Sequence, residues 1–251
     1  MASSRLFVAL FVLLAGAGPG WAAAGDPPTV EGIVARARAA MTPDVAALDK
    51  IRTLRLEFTV ADAQGQAINT SFLTLATGGR RLQSTADPDR GFEAAFCAGP
   101  LDGWALLKPD ALAPRSLRAL PYEEYRALRD MARDDLAFFA IPAPAVGRAT
   151  YLGPSEVAGR KTLAVAYDYV SGFKITRFFD ADSHALVASD QVTPRGEQQR
   201  QLIVSFARTD GIAFPSKEVI FIDGKKSGEV TYARIWVNPD LPPNLFAFPN
   251  F

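Results

Sequence analysis

Alternation of apolar and polar residues, interrupted by short turns, runs through most of this 251-residue chain and restricts the folds open to it. In the segment TLRLEFTV, residues 53–60, every second residue is apolar and the residues between them are charged or polar. A two-residue period is typical of a β-strand that buries one face. Similar segments recur up to residue 237, and we predict about eleven strands in all.

The connections between these segments determine how the strands pair. The linking sequences SG, ADSH, TPRGE, TDGI and DGKKSG are short and rich in turn-forming residues. Strands joined by such turns pair antiparallel, and an antiparallel sheet of this length curls. The predicted fold class is therefore mainly β (α+β): a curled, antiparallel, half-closed β-barrel.

Helical spacing occurs in two places. The segment TVEGIVARARAAM, residues 29–41, has apolar residues three and four apart, Thr29 as a candidate N-cap, and Arg36 and Arg38 on the opposite side. The segment LPYEEYRALRDMARDDLAFFAIPAPAVG, residues 120–147, interrupts the strands with a second helix. Its apolar stripe comprises Tyr122, Tyr125, Leu128, Ala132 and Leu136. Because both helices have apolar sides to bury, we expect them to cover the concave face of the sheet.

The first residues have the composition of a secretory signal peptide. Arg5 precedes an apolar run that starts at Leu6, glycine and proline follow, and small residues end at Ala24. The run is shorter than the roughly 20 apolar residues needed to span a bilayer. We therefore predict a signal peptide at residues 1–24, cleaved near Ala24, and one exported, periplasmic domain at residues 25–251.

Composition and motifs argue against several classes of function. The chain has 27 basic and 27 acidic residues, a balance that argues against nucleic acid as a partner. Its only histidine, His184, is expected in an exposed turn, and its only cysteine, Cys97, in the core. Asp180 and Asp182 beside the histidine are interpreted as turn residues rather than calcium ligands. We expect a protein that is not an enzyme and has no cofactor or metal.

Aromatic and apolar residues are abundant for one sheet and two helices. They either fill the core completely or leave part of a half-closed barrel open to an apolar ligand such as an acyl chain. In the second case the first apolar strands supply one wall and the inserted helix acts as a lid. The candidate lipid-binding residues are Leu54, Leu56, Phe58, Phe72, Trp104, Tyr125, Leu128 and Leu136.

The order of these segments resembles the bacterial outer-membrane lipoprotein-sorting proteins of the LolA-like superfamily. The most specific pieces are a G-x-x-x-V-x-G-R turn at residues 153–160, the sequence D-G-I-x-F-P at 210–215, and a tail of the form N-P-x-L-x-x-x-x-F-x-x-P. The resemblance implies a half-open barrel that holds lipid acyl chains beneath helices. It implies lipid or lipoprotein cargo, and the inner- and outer-membrane lipoprotein machinery as partners. It also implies that the tail after Pro239 folds back on the barrel with Phe246 as its anchor.

One position departs from the lipoprotein carriers of that superfamily. In them an Arg-Pro pair at the start of the third strand helps to latch the lid, whereas this chain reads TGGRRLQ, and neither Arg80 nor Arg81 precedes a proline. Two functions therefore stay open. The protein either carries or binds lipid acyl chains, as in lipoprotein sorting, or is a non-enzymatic envelope-stress regulator or interaction module that binds a membrane-protein segment.

Overall fold

The structure of the chain, a computed structural model, describes residues 28–86, 91–193 and 196–249. The helices in these ranges are α1 (Val30–Met41), α2 (Val45–Leu48) and α3 (Tyr122–Ala137). The strands are β1 (Thr53–Asp62), β2 (Ala67–Ala76), β3 (Gly79–Thr85), β4 (Glu93–Ala98), β5 (Gly103–Lys108), β6 (Ser116–Ala119), β7 (Gly147–Val157), β8 (Arg160–Tyr169), β9 (Lys174–Asp180), β10 (Leu186–Val192), β11 (Gln198–Thr209), β12 (Ile212–Ile222) and β13 (Lys225–Val237). The predicted signal peptide at residues 1–24 lies outside the described residues. No helix of the described ranges is long and apolar enough to cross a lipid bilayer.

The described strands form one antiparallel sheet of 13 strands, in the order β6-β5-β4-β3-β2-β1-β13-β12-β11-β10-β9-β8-β7. The first strand pairs with the last, so the two halves of the sheet join at its centre. The edge strands β6 and β7 are consecutive in the chain and are connected through α3. They do not pair with each other. The fold is therefore mainly β and antiparallel, as predicted, but the sheet does not close into a barrel.

The prediction of about eleven strands is too low because it omits the two edge strands. β6 has only four residues and is mostly exposed, so its alternation is too short to identify a strand. β7 contains Gly147, Gly153 and Pro154, which are unfavourable inside a strand but tolerated at an edge or a bulge. Its pairing with β8 shifts register between Tyr151 and Gly153. Both omitted strands thus lack the local signals of a central strand.

The sheet curves around α3. Two adjacent residues of this helix form ion pairs with distant strands: Asp135 with Arg80 of β3, and Asp134 with Arg177 of β9. Seven strand spacings separate β3 from β9, which in a flat sheet would be roughly 34 Å. Because neighbouring side chains of one helix cannot span that distance, the two halves of the sheet bend toward each other. We call the face toward α3 the concave face and the opposite face the convex face.

The first helix lies on the concave face of β8 and β9. The Thr29 hydroxyl accepts a hydrogen bond from the Gly32 N–H at 3.1 Å, which confirms Thr29 as the N-cap of α1. The buried cluster at this contact comprises Ile33, Val34, Ala37, Leu163, Val165, Tyr167, Tyr169, Ile175 and Phe179. The prediction that Arg38 lies on the polar side of α1 is wrong, because this residue is only 7% exposed and contacts the end of α3.

The apolar stripe of α3 packs against the centre of the sheet. Ala132 is fully buried, and Leu136 contacts the central cluster from the same side of the helix. This cluster comprises Met41, Leu48, Ile51, Leu54, Leu75, Ala132, Phe138, Ile212 and Phe214, with Leu56 and Leu73 packed against it. The predicted contact of α3 with Leu54 and Leu56 is therefore confirmed. Tyr122 does not belong to the buried stripe, since it is 66% exposed in the first turn of the helix.

The C-terminal segment crosses the convex face. Phe246 packs on a buried cluster of Ala95, Cys97, Trp104 and Leu106. Its carbonyl oxygen accepts hydrogen bonds from the Trp104 indole N–H at 3.4 Å and from the Cys97 thiol at 3.5 Å. Two glycines permit this approach: a Cβ at Gly79 would lie 3.1 Å from the Phe246 ring, and one at Gly99 would lie 2.9 Å from its carbonyl oxygen. The predicted role of Phe246 as the anchor of the tail is confirmed.

Candidate functional site

A cavity of about 650 Å³ lies between α3 and the concave face. One wall comes from β3 and β4, and the opposite wall comes from the β8–β9 turn, β10 and the start of β11. The lining residues are Arg80, Leu82, Phe96, Glu124, Ala127, Leu128, Met131, Ser171, Gly172, Phe173, Lys174, Gln191, Val192, Thr193 and Gln199. The volume lies within the roughly 300–1,000 Å³ of typical small-molecule sites.

Apolar side chains in the cavity come from both halves of the sheet and from the helix. Leu82 and Phe96 are cross-strand partners on β3 and β4, so their side chains lie beside each other on the concave face. Leu128 and Met131 are three residues apart on α3 and share the helix side over these strands. Phe173 faces them from the turn that joins β8 to β9. A ligand in this cavity would touch apolar groups on three sides.

Polar groups occupy another part of the cavity lining. Lys174 lies 3.5 Å from Asp168, with which it forms an ion pair. The Gln191 side-chain amide donates to the Gln199 side-chain oxygen at 3.4 Å, and Glu124 of α3 also lines the space. Apolar and polar groups in one cavity suit an amphipathic ligand, whose polar end would lie at these side chains.

Arg80 connects the wall of the cavity to α3. Its Nη1 lies 3.1 Å from Oδ2 of Asp135 on α3. Loss of water around Asp135 raises the pKa of its carboxyl, although Arg80 and Arg177 oppose that shift. This ion pair joins β3 to α3, although no proline follows Arg80.

A buried ion pair holds the other side of α3. Arg177 of β9 and Asp134 are 6% and 2% exposed, and Arg177 Nη1 donates to Asp134 Oδ1 at 2.9 Å while Nη2 donates to Oδ2. The Tyr169 hydroxyl also donates to Asp134 Oδ1, at 2.6 Å. Burial alone would lower the pKa of Arg177, but the charge and hydrogen bonds of Asp134 outweigh it and raise the pKa. Arg177 therefore stays charged inside the protein.

The C-terminal end of α3 is capped by α1. Arg38 Nη1 donates to the carbonyl oxygens of Ala137 at 2.6 Å and Phe138 at 3.2 Å. A positive charge at this end satisfies free carbonyl groups and opposes the negative end of the helix dipole. The chain then turns sharply, because Phe138 and Phe139 both have positive φ, 46° and 69°. The C-terminal half of α3 is consequently held from three directions.

Glu218 of β12 is a buried carboxyl on the concave face. It is 6% exposed and shares a hydrogen bond with the Tyr232 hydroxyl of β13. Burial raises its pKa to about 7, the Tyr232 hydrogen bond opposes this, and the charge of Asp135 adds to it. The carboxyl consequently takes up a proton near neutral pH, far above the ordinary range for glutamate.

We expect the stability of the protein to fall as the pH rises from about 4.5 to about 7. In this window the folded protein retains a proton on Glu218 that the unfolded chain has released, so each rise in pH favours unfolding. Urea unfolding at several pH values across this range measures the effect. The free energy of unfolding should decline less steeply with pH for Glu218→Gln than for the wild type, because glutamine stays neutral throughout. The exposed Glu123→Gln is the matched control, and an identical slope in both variants would contradict this assignment.

The predicted site residues lie in different parts of the fold. Leu128 lines the cavity, while Leu54, Leu56 and Leu136 form or contact the central cluster beneath α3. Phe58 packs against Tyr232 on the concave face, with 5.4 Å between ring centroids. The Tyr125 hydroxyl donates to the Pro100 carbonyl oxygen at 3.1 Å, which places it beside the β4–β5 turn.

Phe72 and Trp104 lie on the opposite face, so their assignment to the concave wall is wrong. Phe72 is paired with Glu57, and directly paired residues share a face, whereas Leu56 is paired with Leu73. Trp104 is paired with Cys97 and lies under Phe246. Both residues belong to segments that are apolar on both faces, so alternation does not reveal which way they point.

Most of the residues that line the cavity could not be identified from sequence patterns alone. Leu82 could have been predicted as an inward-facing residue, because it alternates with charged and polar neighbours in the segment RRLQSTA. Phe96 lies in the largely apolar segment FEAAFCA, where the period is weak, and Phe173 lies at a turn. Their grouping depends on the curl of the sheet, which no local pattern encodes.

The aspartate that precedes His184 stabilises the turn, as the sequence predicts. Asp180 Oδ1 accepts hydrogen bonds from the N–H groups of Ser183 at 2.8 Å and Asp182 at 3.1 Å, and these bonds lower the pKa of Asp180. This confirms Asp180 as a turn residue. His184 is half-buried rather than exposed as predicted, and burial lowers its pKa.

Comparison with known proteins identifies the fold. No family model matches the sequence, and no curated protein matches it. A DUF1329 family protein from Desulfovibrio piger superposes with a TM-score of 0.54 at 10% identity, over 86% of this chain and 96% of that one. A LolA superfamily protein from Nitrosomonas europaea superposes with a TM-score of 0.53 at 10% identity, over 88% of this chain and 99% of that one. The chain has a LolA-like fold.

Proposed function

We propose that this protein binds the acyl chains of a lipid or lipoprotein in the cavity beneath α3. In this proposal it is exported, works in the periplasm as a carrier or binder, and catalyses no reaction. The observation that carries the proposal is the approximately 650 Å³ cavity, lined by apolar side chains from both halves of the sheet and from α3. Burying an acyl chain there would gain about 0.8 kcal/mol per CH₂ group. The LolA-like fold supports it, because the resemblance implies this use of the concave face.

The unequal attachment of α3 supports its role as a lid. Asp134, Asp135 and the carbonyl groups at its C-terminal end are bound by three arginines from α1, β3 and β9. The contacts of the N-terminal half are more exposed: Glu124 forms an ion pair with Arg118 at 3.7 Å, and Arg126 donates to the Val170 carbonyl oxygen at 3.2 Å. The helix also begins with the exposed Tyr122. We infer that the lid opens at its N-terminal end, next to Leu128, while the C-terminal end acts as the hinge.

Leu128→Glu should weaken the binding of a fluorescent fatty-acid probe by about tenfold or more, because it introduces a charge into the apolar part of the cavity. The melting temperature should fall much less, since Leu128 is only half-buried and lies outside the central cluster. The measurement is a probe titration of both proteins, together with thermal unfolding.

Leu112→Glu is the matched control, because Leu112 is 97% exposed and its replacement should leave probe affinity unchanged. Two results would contradict the proposal. One is a wild-type protein that binds no apolar probe. The other is complete unfolding of Leu128→Glu, which would make α3 ordinary core.

Organic extraction and native mass spectrometry of the purified protein test the class of ligand. Bound lipid supports the acyl-chain proposal. A protein free of lipid that instead retains a hydrophobic peptide segment would favour the interaction module over the lipid binder.

A further inference from the structure

A second cavity, of about 310 Å³, lies on the convex face beneath the C-terminal segment. We call residues 239–246 the strap. The cavity is lined by Arg55, Phe72, Thr74, Arg81 and Gln83 of the sheet and by Pro239, Asp240, Leu241, Pro242 and Leu245 of the strap. This strap cavity is separated from the cavity beneath α3 by the whole thickness of the sheet.

Hydrogen bonds fix the strap at both ends. At its start, the Asn238 side-chain oxygen accepts from the Arg52 N–H at 2.7 Å, and the Thr53 hydroxyl donates to the Pro239 carbonyl oxygen at 3.0 Å. At its end, Phe246 is anchored on Trp104. Between these points the strap stands off the sheet and leaves the cavity open. The space is thus part of the folded architecture.

Arg55 is held in the strap cavity by aromatic rings. Its guanidinium carbon lies 5.1 Å from the centroid of Phe72 and 5.3 Å from that of Trp236. Within the described part of the chain, no carboxylate forms an ion pair with this guanidinium. Stacking on both rings positions the group and leaves its N–H edge available to a ligand.

Thr74 and Arg81 continue the same row across β2 and β3. Arg55 is paired with Thr74, and Thr74 with Arg81, so the three side chains are neighbours on the convex face. Thr74 is 6% exposed, and its hydroxyl has no hydrogen-bond partner among the described residues. Arg81 Nη1 donates to the Leu245 carbonyl oxygen at 3.0 Å, while its buried Nε has no partner in the described ranges. Arg81 Nη2 also donates to the Gln83 side-chain oxygen at 3.3 Å, so within the described ranges Arg55 and Thr74 supply, besides Arg81 Nε, the donors of this cavity that have no protein acceptor.

We propose that the strap cavity binds an oxyanion, specifically the phosphate group of a small organic phosphate. Two guanidinium groups and a hydroxyl in one row match the acceptor oxygens of a phosphate, which arginine binds through paired hydrogen bonds. Asp240 is the only carboxylate among the lining residues, and it is exposed on the strap. The volume exceeds that of a bare phosphate ion, so the strap side has room for a substituent such as glycerol.

Isothermal titration of the mature protein with glycerol 3-phosphate tests the proposal. Arg55→Gln should weaken binding by about tenfold or more, and Thr74→Val by about fivefold. Neither side chain donates a hydrogen bond to the strap within the described ranges, so both variants should keep the wild-type melting temperature. Arg234→Gln is the matched control: Arg234 lies on the same Trp236 ring at 5.3 Å but does not line the cavity. The affinity of Arg234→Gln for glycerol 3-phosphate should differ from that of the wild type by less than twofold.

Vesicles containing phosphatidylglycerol distinguish the source of the phosphate. Saturable binding of glycerol 3-phosphate that is lost in Arg55→Gln identifies a soluble organic phosphate. Binding to the vesicles alone, with the same loss, identifies a lipid headgroup, and either result supports the site. The proposal is overturned if the wild type binds neither, or if Arg234→Gln weakens binding as much as Arg55→Gln. Because this site lies on the convex face, its failure leaves the proposed acyl-chain cavity untouched.

Discussion

Asp134→Ala is expected to lower the free energy of unfolding by about 3–5 kcal/mol. The variant removes the only carboxylate that forms an ion pair with Arg177 among the described residues, and Arg177 is 6% exposed on its side chain. An unpaired guanidinium inside the protein loses its hydration without compensation. The variant also deprives the Tyr169 hydroxyl of its acceptor. Urea unfolding followed by circular dichroism measures the loss.

Asp168→Ala is the control for this experiment. Like Asp134, Asp168 forms ion pairs. Its two cationic partners are Arg148 at 3.2 Å and Lys174 at 3.5 Å, and both are about three-quarters exposed. Ion pairs in that setting contribute at most about 1 kcal/mol. Equal losses in the two variants would show that burial does not distinguish these pairs. The double variant Asp134→Leu/Arg177→Met should be less destabilised than Asp134→Ala, because it leaves no charge without a partner.

Elements with a strong local period could be predicted from the sequence. Alternation identified β1, and the N-cap at Thr29 and helical spacing identified α1, because these signals involve neighbouring residues only. The edge strands β6 and β7 lack such signals, being short and exposed in one case and interrupted by glycine and proline in the other. The missed strands are thus those whose formation depends on pairing with a neighbour.

The direction of side chains in apolar segments depends on strand register. In INTSFLTLA, Phe72 and Leu73 point to opposite faces, and only the pairing of Leu73 with Leu56 places Leu73 on the concave side. In GWALL nearly every residue is buried, so period gives no direction for Trp104. The apolar character of the cavity could be predicted from the sequence. Identifying its lining residues requires the register of the strand pairs, which determines the face that each side chain occupies.

The charged residues of α3 illustrate a second limit of prediction from sequence. The polar side of an amphipathic helix is normally assigned to solvent, yet Asp130 and Asp134 are buried. This helix connects the two edges of the sheet and lies inside its curve, so both of its sides contact protein. The side away from the central cluster meets Arg177, and Arg38 caps the helix end. A local pattern cannot indicate that a helix is enclosed in this way.

A chain that ends at Pro242 should be strongly destabilised. Phe246 is the part of the tail that packs on the convex cluster, and burial of a phenylalanine side chain contributes roughly 1.5–3 kcal/mol. Its removal also uncovers Cys97 and Trp104, which are 0% and 2% exposed. The total loss should therefore exceed the contribution of Phe246 alone, and urea unfolding against the full mature chain measures it.

The reactivity of the Cys97 thiol measures whether the strap covers the convex face. It is the only cysteine in the sequence, and burial raises the pKa of its thiol to about 12, so it should react very slowly with a thiol reagent in the intact protein. Truncation at Pro242 should make it react rapidly. A chain that ends at Ala247 retains Phe246 and loses Phe248, which is 41% exposed, so its stability and thiol reactivity should match those of the intact protein. If both truncations leave the Cys97 reactivity unchanged, the cluster is covered by something other than the strap, and the strap cavity loses its outer wall.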